Sequence, residues 1–313
     1  MSRLETLHPW LRGGMLVLGH IARLVLGVVF LWAGALKAPD PMGFARDIAQ
    51  YGIVTGSAAT VFAFLLIPVE VALGCALLLN FRSRLGLAIA SALMVMFIAA
   101  ISYALATGQP LEDCGCFGSN SPRTPQQTLT EDAVFLALGL AGIAGLGAGP
   151  RKGSVVARRW KAALLAATAA GSGAFVVAAP HLPIDDLATR LAPGVAWASL
   201  EVALPEVDLT QGAHLVALLR LTDDASLASM DALNDLAQRL PLVGLHSDDE
   251  AVYNQFFWTH GPAFELHYLA TSDMRSLHRG LPRFFAVRDG VVTATWSEVP
   301  PESEAARALG MGS

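Results

Sequence analysis

The sequence predicts an α-helical membrane bundle followed by a soluble α/β domain, and three observations carry that prediction. Of 313 residues, 54% are hydrophobic and 15% charged, with a mean hydropathy of +0.50; a soluble domain carries about 25% charged residues. Five apolar stretches, near 15–36, 57–79, 85–106, 131–149 and 162–180, reach the roughly 20 residues that a spanning helix needs. Beyond about residue 198 the long runs give way to short apolar runs separated by polar segments. Three cysteines are too few for a disulfide-stapled secreted scaffold. A mild net charge of −5 with no basic stripe argues against a nucleic-acid partner.

The first stretch is longer than a signal-peptide core of roughly 7–15 residues and no small-residue cleavage site ends it, so it reads as a retained transmembrane helix. Arg3 and Arg12 precede it, Arg82 and Arg84 lie in the second loop, and Arg151, Lys152, Arg158, Arg159 and Lys161 in the fourth. The first and third loops carry only Lys37, Arg46 and Arg123 beside several acids. The positive-inside rule therefore predicts a cytoplasmic N-terminus, with the odd loops and everything after Pro180 facing out. In a Gram-negative cell that is the periplasm, an oxidising compartment.

Arg23 and Glu70 are charges inside predicted spans, and such groups find partners. Counted from the inner helix ends at about 1.5 Å per residue they fall at similar depth, which predicts an Arg23–Glu70 ion pair. The pair reads either as functional or as a register-fixing contact. His20, one turn from Arg23, is a candidate proton or head-group ligand beside the reading of a packed histidine. Cys75 lies about 25 Å from the outer side at helical rise, beyond disulfide reach, and is expected to be a buried apolar residue.

The third loop reads Leu111-Glu-Asp-Cys-Gly-Cys-Phe-Gly-Ser-Asn120. A bridge between Cys114 and Cys116 closes a small strained ring, the profile of a labile disulfide, with Gly115 supplying the backbone freedom. Asp113 disfavours the thiolate and Lys37, at the outer end of the first helix, favours it. A redox-active pair and a structural bridge both remain open. A metal site is weakest, since zinc wants four ligands and the loop offers two thiolates.

After the fifth span comes a Pro-containing linker from Pro180 to about Gly194. His214–Thr222 then reads as a buried strand, Ser226–Leu240 as a helix with Leu227, Met230, Leu233, Leu236 and Leu240 on one face, and Leu242–Leu245 as a short strand. Arg283–Arg288 and Val291–Trp296 form a hairpin around Asp289-Gly290. Phe256-Phe-Trp258 with His260 is an aromatic cluster, read as core or as a binding face.

Two resemblances follow. Arg23-x-x-Leu26-Gly27-x-x-Phe30-x-x-Ala33-Gly34-x-x-Lys37, with Pro41, Phe44, Ile48 and Tyr51, then Pro68-x-Glu70-x-x-x-Gly74 and Asp113-Cys-Gly-Cys-Phe-Gly118, resemble the DoxX-like membrane proteins and their MauE branch, named for methylamine utilisation. This covers about residues 15–150. It implies a four-helix unit at residues 1–150, with the fifth transmembrane helix and linker at 151–195. The family's role implies periplasmic thiol/disulfide redox maturation beside a thiol protein or thioredoxin-like partner, in a multi-pass inner-membrane protein coupled to quinone. Cys114, Cys116 and Lys37 would then be catalytic, and Arg23, Glu70 and His20 would form the cofactor site. Residues 196–313 resemble a thioredoxin fold, with Leu281-Pro282 in the place of its cis-proline. Asp223-Asp-Ala-Ser226 stands where the C-x-x-C dithiol belongs, as a helix cap. The competing reading is a non-enzymatic assembly factor whose degenerate thioredoxin-like module binds a client. A transporter is disfavoured, because the sequence shows no internal repeat or broken-helix pair.

Overall fold

The computed structural model describes residues 9–109, 111, 124–146, 154–202, 204 and 206–311. The chain divides into two units, Met1–Leu182 and Pro183–Ser313.

Among the described residues, the first unit holds five helices long and apolar enough to cross a membrane. They are α1 (Pro9–Lys37), α3 (Gly56–Leu78), α4 (Ser83–Ala106), α5 (Pro125–Gly145) and α6 (Val155–Ala178), with a short amphipathic helix α2 (Pro41–Gln50) after α1. Helix α1 packs on α3 and α5, α4 on α5, and α6 on α3. The predicted fifth span is therefore part of the same unit as the other four. In α2, Pro41 is pre-set for the first helical position, and the Asp40 carboxylate accepts the Gly43 N–H at 2.8 Å. Phe44, Ala45 and Ile48 form its buried face, packed against Ala59, Ala63 and Ile67 of α3. The segment 38–55, the end of α4 with residues 107–109, and the start of α5 lie at the same end of the bundle, here called the α2 end, where α6 also finishes. A Cβ on Gly52 would stand 2.9 Å from the Gln109 amide nitrogen, so the two connections touch.

Glycine sets how closely α1 and α3 approach. A Cβ on Gly74 would lie 2.6 Å from the Leu31 backbone nitrogen and 2.8 Å from the Gly27 carbonyl oxygen. Gly27 faces Leu78 and Gly34 faces Glu70 and Val71 in the same way. Small residues at such crossings let helix backbones meet in lipid, where no hydrophobic force drives helices together.

The second unit is the expected α/β domain. It contains α7 (Asp185–Ala188), β1 (Ala213–Leu218), α8 (Asp224–Ala228), α9 (Met230–Ala237), β2 (Leu242–His246), α10 (Glu250–His260), β3 (Glu265–Tyr268), α11 (Thr271–Leu277), β4 (Arg283–Arg288), β5 (Val291–Trp296) and α12 (Glu302–Ala308). The sheet order is β3-β2-β1-β4-β5. Strands β1, β2 and β3 are parallel, β4 runs antiparallel to β1, and β5 antiparallel to β4. Both faces of β1 are covered, which explains its near-continuous apolar sequence. Leu215 and Ala217 pack with α9, α10 and α12; Val216 and Leu218 pack with Trp197, Leu209 and α11. The expected cis bond is present at Leu281–Pro282, and Asp289 and Gly290 both adopt positive φ in the hairpin turn. The single helix expected over 226–240 is broken at Ser229, whose hydroxyl donates to the Ser226 carbonyl at 2.6 Å.

Candidate functional site

The close α1–α3 approach places the last residue of α1 against the middle of α3. Lys37 Nζ donates to both carboxylate oxygens of Glu70 at 2.8 Å, with Lys37 3% and Glu70 1% exposed. The ammonium also lies 4.8 Å from the Phe44 ring centroid and 6.0 Å from that of Phe97, within the range of a cation–π contact. Helix α2 therefore lays an aromatic ring over the ion pair.

Two spaces meet at Lys37. On one side is a cavity of about 20 Å³, lined by Lys37, Glu70, Asp132 and the apolar side chains Phe30, Met94 and Phe135 among others. On the other is a pocket of about 720 Å³ whose walls include Phe44, Tyr51, Phe62, Phe97 and Tyr103. Its volume is that of a small-molecule site, largely apolar with one convergent charge. Tyr51, Gly52 and Tyr103 put it toward the α2 end, where the segment carrying Cys114 and Cys116 leaves α4 and enters α5. Those two cysteines lie outside the described residues.

The expected Arg23–Glu70 pair does not form. Arg23 Nη1 donates to the carbonyls of Leu77 and Leu78 at 2.5 and 2.9 Å. The cause is register. Helix α1 begins at Pro9, not near 15, so the starts of α1 and ends of α3 are not level. With Gly34 opposite Glu70, Arg23 sits about 16 Å further along the axis at helical rise, beside the C-terminus of α3. There the cation meets unpaired carbonyls and the negative end of the helix dipole. Lys161 of α6 joins it, donating to the Leu79 carbonyl at 2.7 Å. His20 is exposed on the outer face of α1 while Arg23 is buried, so Arg23, Glu70 and His20 do not form one site. Lys37, expected beside the cysteines, is held by Glu70. Cys75 is partly buried and free.

In the second unit, the segment at the dithiol position also departs from expectation. Asp223 occupies the N-cap of α8, but its side chain makes no capping hydrogen bond. Ser226 is buried instead, its hydroxyl accepting the Arg220 N–H at 3.2 Å. The aromatic cluster divides: Phe256 is core, whereas Phe257 and Trp258 are exposed on α10.

Sequence reasoning missed Asp132. A fourth span at 131–149 puts Glu131 and Asp132 at its first two positions, level with the membrane edge, where a charge draws no attention. Helix α5 begins six residues earlier, at Pro125, behind a reciprocal capping box between Thr124 and Gln127. The T-x-x-Q pattern with proline at the first helical position was the available signal.

Residues 15–145 match a family model described as methylamine utilisation protein MauE. "Protein TlpB" of Flavobacterium psychrophilum is 34% identical over 105 residues, 32% of this chain and 26% of that protein; the match thus spans about a quarter of that relative. The matched span begins inside α1 and ends with α5, so the part of this chain that builds the Lys37–Glu70–Asp132 cavity is MauE-like.

Proposed function

We propose that this chain is an inner-membrane thiol/disulfide redox protein that supports disulfide formation or maturation of a partner protein. Cys114 and Cys116 are its exchanging pair and a lipid-soluble quinone its electron acceptor. The observation that supports the reading is the position of Lys37, shared between a buried polar cavity and a pocket toward the end of the bundle at which α4 finishes and α5 begins. The charge asymmetry of the loops favours an outward, periplasmic α2 end, which would place that segment and the second unit in the oxidising compartment.

Oxidation of two thiols forms one S–S bond and releases two electrons and two protons, and a quinone takes up both. The pocket chemistry fits such a group: aromatic walls at Phe44 and Phe97 for a flat ring, apolar walls for its tail, and the Lys37 ammonium to meet a carbonyl oxygen. Lys37, kept charged and immobile by Glu70, would orient and polarise that carbonyl. The second unit then serves as a thioredoxin-like module without its own dithiol, holding a partner for the membrane loop.

The test is thiol trapping in intact cells on a Cys75→Ser background. Cys114→Ser or Cys116→Ser is expected to accumulate a mixed disulfide with a partner through the remaining thiol and to abolish partner oxidation. A pair that stays oxidised under mild reductant and traps nothing would sink this reading. It would favour the second one, a non-enzymatic assembly factor, for which the exposed Phe257 and Trp258 on α10 are the supporting observation.

A further inference from the structure

The cavity behind Lys37 holds a carboxyl group that the ion pair does not use. Asp132 is 5% exposed, and its Oδ2 is buried without a hydrogen-bond partner. Among the described residues lining the cavity, the titratable groups are Lys37 from α1, Glu70 from α3 and Asp132 itself. Helix α4 contributes only Met94 and Phe97, and Glu131 is the chain neighbour of Asp132. Glu70 already spends both oxygens on Lys37. One ammonium and two carboxyls share a site walled by Phe30, Met94, Phe97 and Phe135, where an uncompensated charge is costly.

We propose that Asp132 is the proton-carrying member of a proton-exchange site buried in the bundle. Its carboxyl holds the proton that balances the cluster at zero net charge. A single water in the cavity links it to Lys37 and thence to the larger pocket. The volume of about 20 Å³ is enough for one water, and Asp132, Glu70 and Lys37 supply the polar partners that a buried water requires. The transfer moves one proton and no electrons. Asp132 passes from carboxyl to carboxylate as a group seated in the pocket is protonated, and the cluster goes from zero to minus one. A proton from solvent at the α2 end restores it. The inference does not depend on the thiol reading, since any proton-consuming reaction in the pocket would use such a site.

Infrared difference spectroscopy of the full chain in detergent, exchanged between H2O and D2O at neutral pH, tests it on a Cys114→Ser/Cys116→Ser background. A protonated-carboxyl C=O band that shifts in D2O is expected. Asp132→Asn should remove it and Asp132→Glu should keep it at a displaced frequency. Glu70→Gln should also abolish it, because Asp132 then ionises opposite Lys37, and Lys37→Met/Glu70→Gln should bring it back. Absence of the band, its survival in Asp132→Asn or in Glu70→Gln, or its indifference to D2O would each overturn the proposal. The Glu70→Gln pair of variants keeps the test decisive if Asp132→Asn does not fold.

Discussion

Each unit of this protein sets a buried cation among carboxyl groups, and the two clusters differ in charge count. Arg283 in β4 is 2% exposed and Lys37 in α1 is 3%. Arg283 meets Asp185 at 3.2 Å and Asp186 at 3.0 Å, and Arg279 adds a second cation on Asp185 at 2.9 Å. Thr295 donates to Asp186 at 2.8 Å. Burial pushes the Arg283 pKa down, while the neighbouring carboxylates hold the guanidinium charged. Two cations and two anions balance, and Asp186 is half in water. This cluster ties α7 to the sheet. The Lys37 cluster has one cation, two carboxyls, a cavity and a pocket. A balanced set of charges reads as architecture; a surplus acid beside empty space reads as chemistry.

That contrast makes its strongest prediction at Glu70. Glu70→Ala takes both hydrogen bonds from the buried Lys37 and leaves only Asp132, across the cavity, to balance it; breaking a buried pair from one side costs about 3–5 kcal/mol. Thermal unfolding in detergent, followed by hydrogen exchange of α1 and α3, should show a bundle destabilised by that order. The double variant Lys37→Met/Glu70→Leu should recover most of the loss, since apolar residues of similar volume replace buried pairs well. Equal losses in the single and double variants would mean that the pair contributes through packing and not charge.

Arg283→Met should cost less, about 1.5–3 kcal/mol, the range for hydrogen bonds to charged groups. Asp185 keeps Arg279 and Asp186 keeps water, so neither carboxylate is stranded. Hydrogen exchange of β4 and α7 in the full chain measures it. A loss matching that of Glu70→Ala would erase the distinction between the two clusters.

What the sequence made legible follows the strength of the local signal. Long apolar runs, the Asp289-Gly290 turn and the short strand-forming runs of β4 and β5 on either side of it were readable because each is fixed by nearby residues. The two-sided burial of β1 was readable for the same reason. The pairing of charges was not, because it depends on the axial register of α1 against α3. Glycines at 27, 34 and 74 set that register, through contacts 36 or more residues apart in sequence. An error of a few residues in helix ends displaced Arg23 by a full helix end and left Asp132 at the very edge of a span instead of two turns inside it. Helix α2 and strand β3 were missed for a different reason: ten and four residues are short for periodicity to speak.

The smallest effect expected lies in β2, and it tests whether a buried titratable group without a charge partner behaves as architecture. His246 is buried, stacked on Tyr253 with ring centroids 5.2 Å apart and edge-on to Tyr268. Burial lowers its pKa, against a weaker opposing pull from Asp248. An unfolded histidine titrates near about 6.5. Below that value the unfolded state takes up a proton that the native state refuses, so stability falls as pH drops and levels off once the native group also protonates. Above it, stability from this residue is flat. Hydrogen exchange of residues 242–246, corrected for the intrinsic pH dependence, should therefore quicken between pH 7 and 5 in the full chain. His246→Phe, which keeps a ring against Tyr253, should remove that slope. A slope that persists in His246→Phe would assign it to the exposed acids of the domain, and the buried histidine would then be silent over that range.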